Sequence, residues 1–165
     1  LINGENNLSP LIDTIKWLQD NYSLDVYLEP GKAISGNSGY LVASVIDIFT
    51  NNGEQVVVLD TTTNHLPEVF EYQYQPSIIN SNGGSGYKYH ITGCSCLSGD
   101  LFGDYYFTDR LSLGSRIVFK NVGAYMQVKA NMFNGINLPS VYLLDVDSNF
   151  KLLKEYDYNS YRDRL

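Results

Sequence analysis

The densest chemistry in this 165-residue chain sits in one short loop, Gly93-Cys94-Ser95-Cys96-Leu97-Ser98-Gly99-Asp100, which places two thiols beside a carboxylate. A thiol held near the end of the β-prone run Tyr87-Lys88-Tyr89-His90-Ile91 is in a position to donate or accept a proton. The plainer account of a free cysteine is a small buried hydrophobe. Zinc is not expected, because Cys-x-Cys with one nearby histidine and no second pair misses the usual ligand spacing. A disulfide across Ser95 alone would be strained, so both cysteines read as free thiols of a reducing, cytoplasmic compartment. Further candidate groups lie on either side. Glu29 stands in Glu29-Pro30-Gly31, His65 and Glu68 in His65-Leu66-Pro67-Glu68, and Tyr125 in Val122-Gly123-Ala124-Tyr125, with Phe133-Asn134-Gly135 downstream. Taken singly, Glu29 and either Asp100 or Asp104 are turn carboxylates, Tyr125 is a strand aromatic, and Asn134-Gly135 sets a turn.

The elements that must position these groups change character along the chain. Ser9 and Pro10 suit the N-cap and first position of a helix, and Leu11, Ile12, Ile15 and Leu18 recur at helical spacing to about Gln19. Leu24-Asp25-Val26-Tyr27-Leu28 alternates like a short buried strand and runs into Glu29. A helix followed by such a strand, with a polar residue at its C-terminal end, is the repeating unit of a β/α barrel. Beyond Gly36 the pattern turns to strands: Tyr40 to Phe49 and Gln55 to Leu59 as a hairpin around Asn51-Asn52-Gly53, then Tyr87 to Ile91, Arg116 to Lys120, Tyr125 to Ala130, Val141 to Asp145 and Lys151 to Tyr156. Helical periodicity returns only over Leu66 to Tyr72. Pro76 to Gly86, rich in Ser, Asn and Gly, reads as a mobile loop. The expected fold is mainly β, a sandwich or barrel preceded by the tail of an α/β domain.

Composition narrows the function. Hydrophobic content of 44% and charged content of 18% describe a globular chain. A net charge of −7 with 11 basic residues argues against nucleic acid and against an anionic membrane surface. No segment approaches the length of a membrane-spanning helix, and no signal-peptide layout opens the sequence. The 14 tyrosines, against 7 phenylalanines and 1 tryptophan, fit a strand-rich domain with an interface. Residue 1 is Leu, which reads as a piece of a longer polypeptide.

In this order the Glu29-Pro30-Gly31, Gly93-to-Asp100, Gly123-Ala124-Tyr125 and Phe133-Asn134-Gly135 signatures resemble the C-terminal half of the pyridoxal-phosphate decarboxylases built on an alanine-racemase-like barrel (fold type III), and most of all their carboxynorspermidine decarboxylase branch. The resemblance runs from about Leu8 to Leu165. It implies that residues 1–36 are the C-terminal remnant of the cofactor-binding barrel and residues 37–165 the C-terminal β domain. It implies a lyase of polyamine (norspermidine or spermidine) biosynthesis that uses pyridoxal 5'-phosphate. In that family Glu29 would hydrogen-bond the cofactor's pyridine nitrogen, Gly31 would let the backbone approach it, and Tyr125 would donate to its phosphate.

Cys96 falls on the family's catalytic cysteine, a proton donor, whereas Cys94 stands where relatives usually have Pro. Asp100 would face the remote amines of the substrate, with His65 and Glu68 in the same pocket. Leu97 occupies the place of a glutamate in diaminopimelate decarboxylases, and Lys32 that of an Arg or Glu, with a phosphate contact as an open role. The family forms homodimers in which the cysteine loop serves the neighbouring subunit. Its Schiff-base lysine lies in the barrel half before these residues, so the chain alone is expected to be inactive. Two alternatives remain: a non-catalytic β module that pairs with a full-length relative, and a fragment of a diaminopimelate-type decarboxylase.

Overall fold

A computed structural model describes residues 7–164. The start of the expected barrel remnant (1–6) and the last residue of the family-like tail, Leu165, lie outside the described residues. Helix α1 spans Ser9–Tyr22 with Pro10 in its first turn. Leu8, not Ser9, is its N-cap, and the Asn7 side chain accepts the Ser9 N–H at 3.0 Å. The helix runs past Gln19 and stops where Ser23 turns left-handed and returns its N–H to the Gln19 carbonyl. None of its residues is buried.

The strand expected over Leu24–Leu28 does not form: the segment is extended coil with Leu24, Tyr27 and Leu28 exposed. A barrel strand exists by pairing with its neighbours, and no sheet edge among the described residues reaches this segment. Past Gly31, two short turns not foreseen from the sequence, α2 (Lys32–Ser35) and a 3-10 turn over Gly36–Ser38, lead into the sheet.

The β portion is a six-stranded sheet built from β1 (Tyr40–Asn51), β2 (Glu54–Leu59), β3 (Ser81–Asn82), β4 (Tyr87–Thr92), β5 (Leu101–Phe107) and β6 (Arg116–Lys120), in the order β3-β5-β4-β2-β1-β6. β1 and β2 form the expected antiparallel hairpin, whereas β2 and β4 run parallel. The two outer strands do not stay apart. β3 pairs with β5 on one rim, while Ile78 bridges Phe119 on the other, with Ile79 donating to the Val118 carbonyl and Lys120 to the Ser77 carbonyl, both at 2.9 Å. The segment Ser77–Asn82 therefore staples the sheet into a barrel. It was expected as a mobile loop, and it is ordered because both rims hold open hydrogen-bonding groups that only another strand can satisfy.

Alternate residues of each strand fill the interior: Leu41, Ala43 and Val45 from β1, Val57 and Leu59 from β2, Ile91 from β4, and Ile117 and Phe119 from β6. Phe102 and Phe119 meet across the barrel with ring centroids 4.8 Å apart. β5 was not foreseen, and Tyr125–Ala130, expected as a strand, is instead capped by the single-turn helix α4 (Met126–Lys129). The edge that such a strand would join is already taken at β6 by Ile78. α3 (Pro67–Tyr72) fills the crossover between β2 and β4, as the helical spacing predicts. β7 (Val141–Leu144) and β8 (Phe150–Lys154) make a separate, largely exposed hairpin, followed by α5 (Tyr158–Arg162), whose Asp157 and Ser160 form a capping box.

Candidate functional site

The cysteine loop is held from inside by Asp100. Its Oδ1 accepts from the Thr63 N–H at 2.7 Å and the Thr63 hydroxyl at 3.0 Å, and its Oδ2 from the Ser95 N–H at 2.9 Å and the Ser95 hydroxyl at 2.5 Å. The space occupied by the carboxylate exists because Gly93 has no Cβ there. Thr63 belongs to a 3-10 turn, Thr63–His65, whose first residues are capped by the Thr62 side chain. The Cys94 N–H donates to the Thr61 carbonyl at 2.9 Å, so the loop and residues 61–65 form one unit.

This gives Asp100 a structural task beside the substrate contact that the resemblance implies. A carboxylate that is 7% exposed and already carries four donors cannot turn toward a substrate ammonium without abandoning them. Asp100 shapes the loop. With its anchor buried, the loop presents Cys96 outward, where Asn134 Nδ2 donates to Cys96 Sγ at 2.8 Å. Asn134 read from sequence only as a turn residue. The Asn134-Gly135 pair was the visible cue to its left-handed backbone (φ 61°), but its partner lies 38 positions away. Cys94 sits in a different field, because burial and the nearby Asp100 carboxylate raise its thiol above the usual range.

His65 and Glu68 are both buried. His65 Nδ1 pairs with the Thr61 hydroxyl at 2.8 Å, while its Nε2 has no partner among the described residues. Burial pushes its pKa down to about 4, outweighing the pull of Asp100, so the ring is neutral at pH 7. Glu68 takes the Lys32 ammonium at 2.8 Å and lies 3.8 Å from that of Lys129, which also pairs with Glu71. Burial works against the charge on Lys32, yet the hydrogen bond to Glu68 and the nearby Tyr74 hold its pKa above the usual value. The phosphate contact left open for Lys32 gives way to this pair, which ties the segment after Gly31 to α3.

Gly31 and Tyr125 meet at a second place, with Glu29 two residues before the glycine. A Cβ on Gly31 would lie 2.5 Å from Tyr125 Oη, so only glycine lets the phenol lie over this backbone. Tyr125 holds φ 50°, ψ −32°, an outlier for a bulky residue, and its carbonyl receives the Lys129 N–H at 2.9 Å. Such strain survives where surrounding contacts impose it, and it gathers at functional sites. The Glu29 carboxylate makes no hydrogen bond among the described residues, and the Tyr125 side chain is half exposed. Among the described residues no group of three His, Cys, Asp or Glu side chains is arranged to hold a metal ion. No described helix is long and apolar enough to cross a membrane.

Residues 10–123 match the family described as pyridoxal-dependent decarboxylase, C-terminal sheet domain. The chain is 35% identical to a carboxynorspermidine/carboxyspermidine decarboxylase of Campylobacter jejuni, covering 94% of this chain and 44% of that protein. It is 31% identical to an enzyme of the same name from Herminiimonas arsenicoxydans, covering 96% and 43%. The crystal structure of the C. jejuni carboxynorspermidine decarboxylase complexed with norspermidine superposes with a TM-score of 0.83 at 35% identity, over 96% of this chain and 47% of that one. The chain thus spans less than half the length of the relatives it matches. It belongs to the family of pyridoxal-dependent decarboxylase C-terminal sheet domains.

Proposed function

We propose that these residues are the C-terminal part of a pyridoxal-phosphate-dependent decarboxylase that acts on carboxynorspermidine or carboxyspermidine in polyamine biosynthesis. The observation that carries the proposal is the Gly31–Tyr125 cradle, two residues after Glu29, together with a buried Asp100 anchor and an exposed Cys96. Glu29 would hold the proton on the cofactor's ring nitrogen, Gly31 would admit its ring, and Tyr125 would donate to its phosphate. Bound there, the cofactor supplies an electron sink for the pair left behind when carbon dioxide departs.

The chain's own work is to bind, orient and return a proton. Cys96 gives its proton to the carbon that lost carbon dioxide, a general-acid step. Leu97 offers no polar anchor for a second amino-acid head group, which favours a carboxylated triamine over diaminopimelate. His65, neutral and buried, and Glu68, held by two ammonium groups, shape the pocket wall. The Schiff-base lysine belongs to the half of the relatives' length that these residues do not cover. The enzyme is a cytoplasmic homodimer in which each cysteine loop serves the neighbouring subunit, a reading supported by two exposed free thiols that suit a reducing compartment.

The test is decarboxylation by the full-length protein. Carboxynorspermidine should turn over faster than diaminopimelate. Cys96→Ala should cost roughly 10²–10⁴ in rate, while Cys94→Ala should be mild. Faster use of diaminopimelate would remove the polyamine assignment, and an undiminished Cys96→Ala enzyme would remove the proton-donor role.

A further inference from the structure

We propose that Asn134 is a positioning residue for the Cys96 proton transfer, holding the sulfur in place and stabilising it while it carries negative charge. This rests on the reading of Cys96 as proton donor. When the S–H bond breaks, the proton passes to the substrate carbon and the electron pair stays on sulfur as thiolate, which then recovers a proton from water. An N–H pointed at that sulfur is worth more to the thiolate than to the thiol, because a hydrogen bond to a charged group is the stronger one. Asn134 Nδ2 supplies such a donor at 2.8 Å.

The donor is fixed in advance by its own turn. Met132, 6% exposed, anchors the start of the turn in the protein. The Asn131 side chain accepts the Phe133 N–H at 3.0 Å, and the Gly135 N–H closes the turn on the Met132 carbonyl at 3.0 Å. The Asn131 N–H reaches the Asn64 carbonyl at 3.2 Å, beside Thr63, which holds Asp100. Donor and sulfur are thus hung from the same 61–65 segment. Asn134 itself is left-handed, a conformation that Asn and Asp tolerate and most residues do not. That makes Asn134→Gly the informative change: the left-handed backbone stays, no charge is added, and the N–H donor goes, whereas Asn134→Asp keeps the size but also sets a carboxylate against the thiolate.

The experiment uses the full-length protein, reduced and free of substrate, with iodoacetamide at pH 8 and mass-spectrometric reading of each thiol. Cys96 in Asn134→Gly should label about tenfold more slowly than in the parent, the size expected for losing a hydrogen bond to a charged sulfur, and Asn134→Asp more slowly still. Cys94 labelling and the thermal midpoint should not move. Turnover of Asn134→Gly should fall through kcat with KM unchanged, Asn134→Asp should fall in the same direction, and neither change should lower activity further in a Cys96→Ala background. Unchanged Cys96 labelling in Asn134→Gly, or equal slowing at Cys94, would overturn the proposal. Loss of labelling with full turnover in Cys96→Ala would instead leave the contact standing and remove the proton-donor reading beneath it.

Discussion

Asp100 accepts four hydrogen bonds that tie its loop to Thr63 and Ser95, and its substitution should read as a folding defect before it reads as a kinetic one. Asp100→Ala leaves the Thr63 and Ser95 N–H groups buried without acceptors, at about 1–3 kcal/mol each. Urea unfolding should show a loss of at least about 2 kcal/mol for Asp100→Ala and a smaller one for Asp100→Asn, which keeps an acceptor oxygen. Its importance was legible in the sequence, since a carboxylate beside two cysteines is conspicuous. Its role was not, because Thr63 lies 37 positions away and nothing local announces it.

His65 gives a second residue-scale expectation, this one in pH. Its pKa falls from 6.5 to about 4 on folding, so the unfolded chain binds the extra proton first as pH drops. The stability it contributes is complete above about pH 6.5 and drains away between there and about pH 4. The urea midpoint should decline across that window, and His65→Gln should flatten the decline. A midpoint independent of pH between 7 and 4.5 would show that the ring is not buried neutral.

At the scale of elements, sequence periodicity recovered the strands that alternate cleanly and lost those that do not. β4 and β6 alternate throughout, β1 alternates from Tyr40 to Val45, and β2 is marked by its Val56-Val57-Val58-Leu59 run, so all four were legible. β5 was not, because a bulge opposite Ile91/Thr92 places Phe102 inward next to Gly103, and the alternation resumes out of phase at Tyr105. Tyr125–Ala130 has the composition of a strand, yet Val128 faces solvent and the neighbouring rim is occupied, so topology overruled propensity. The strand over Leu24–Leu28 failed for the same want of a neighbour. Of the candidate site, the glycine and the phenol were legible as separate signatures, but their contact was not.

That contact joins the start of α2 to the start of α4, and it yields a clean test. Gly31→Ala would push a methyl group against Tyr125 Oη and displace the phenol. In the full-length protein the affinity for pyridoxal phosphate, followed by its visible absorbance, should fall by at least about tenfold, a single lost hydrogen bond to a charged group. The melting temperature should barely change, since neither side chain is part of the core. Undiminished cofactor affinity would mean the cradle holds something else.

For the molecule as a whole, the feature with the widest reach is the staple of Ser77–Asn82 across the two rims. Ile79 is exposed, yet its N–H closes the barrel on Val118, so Ile79→Pro deletes a closing hydrogen bond without opening a cavity. A loss of about 1–3 kcal/mol is expected, together with faster amide exchange along β6. The staple also sets an order of events in time. It can dock only after β5 and β6 exist, and both are made later in the chain than the staple itself. Contacts of such long sequence separation slow the search, so refolding on the scale of milliseconds to seconds is expected rather than microseconds. Until the staple docks, two strand edges stand open to any other chain that can pair with them. Within the staple only Ile78 and Ile79 favour such pairing while Ser77, Asn80, Ser81 and Asn82 do not, and so the last piece to arrive offers a stranger a foothold of two residues while it waits.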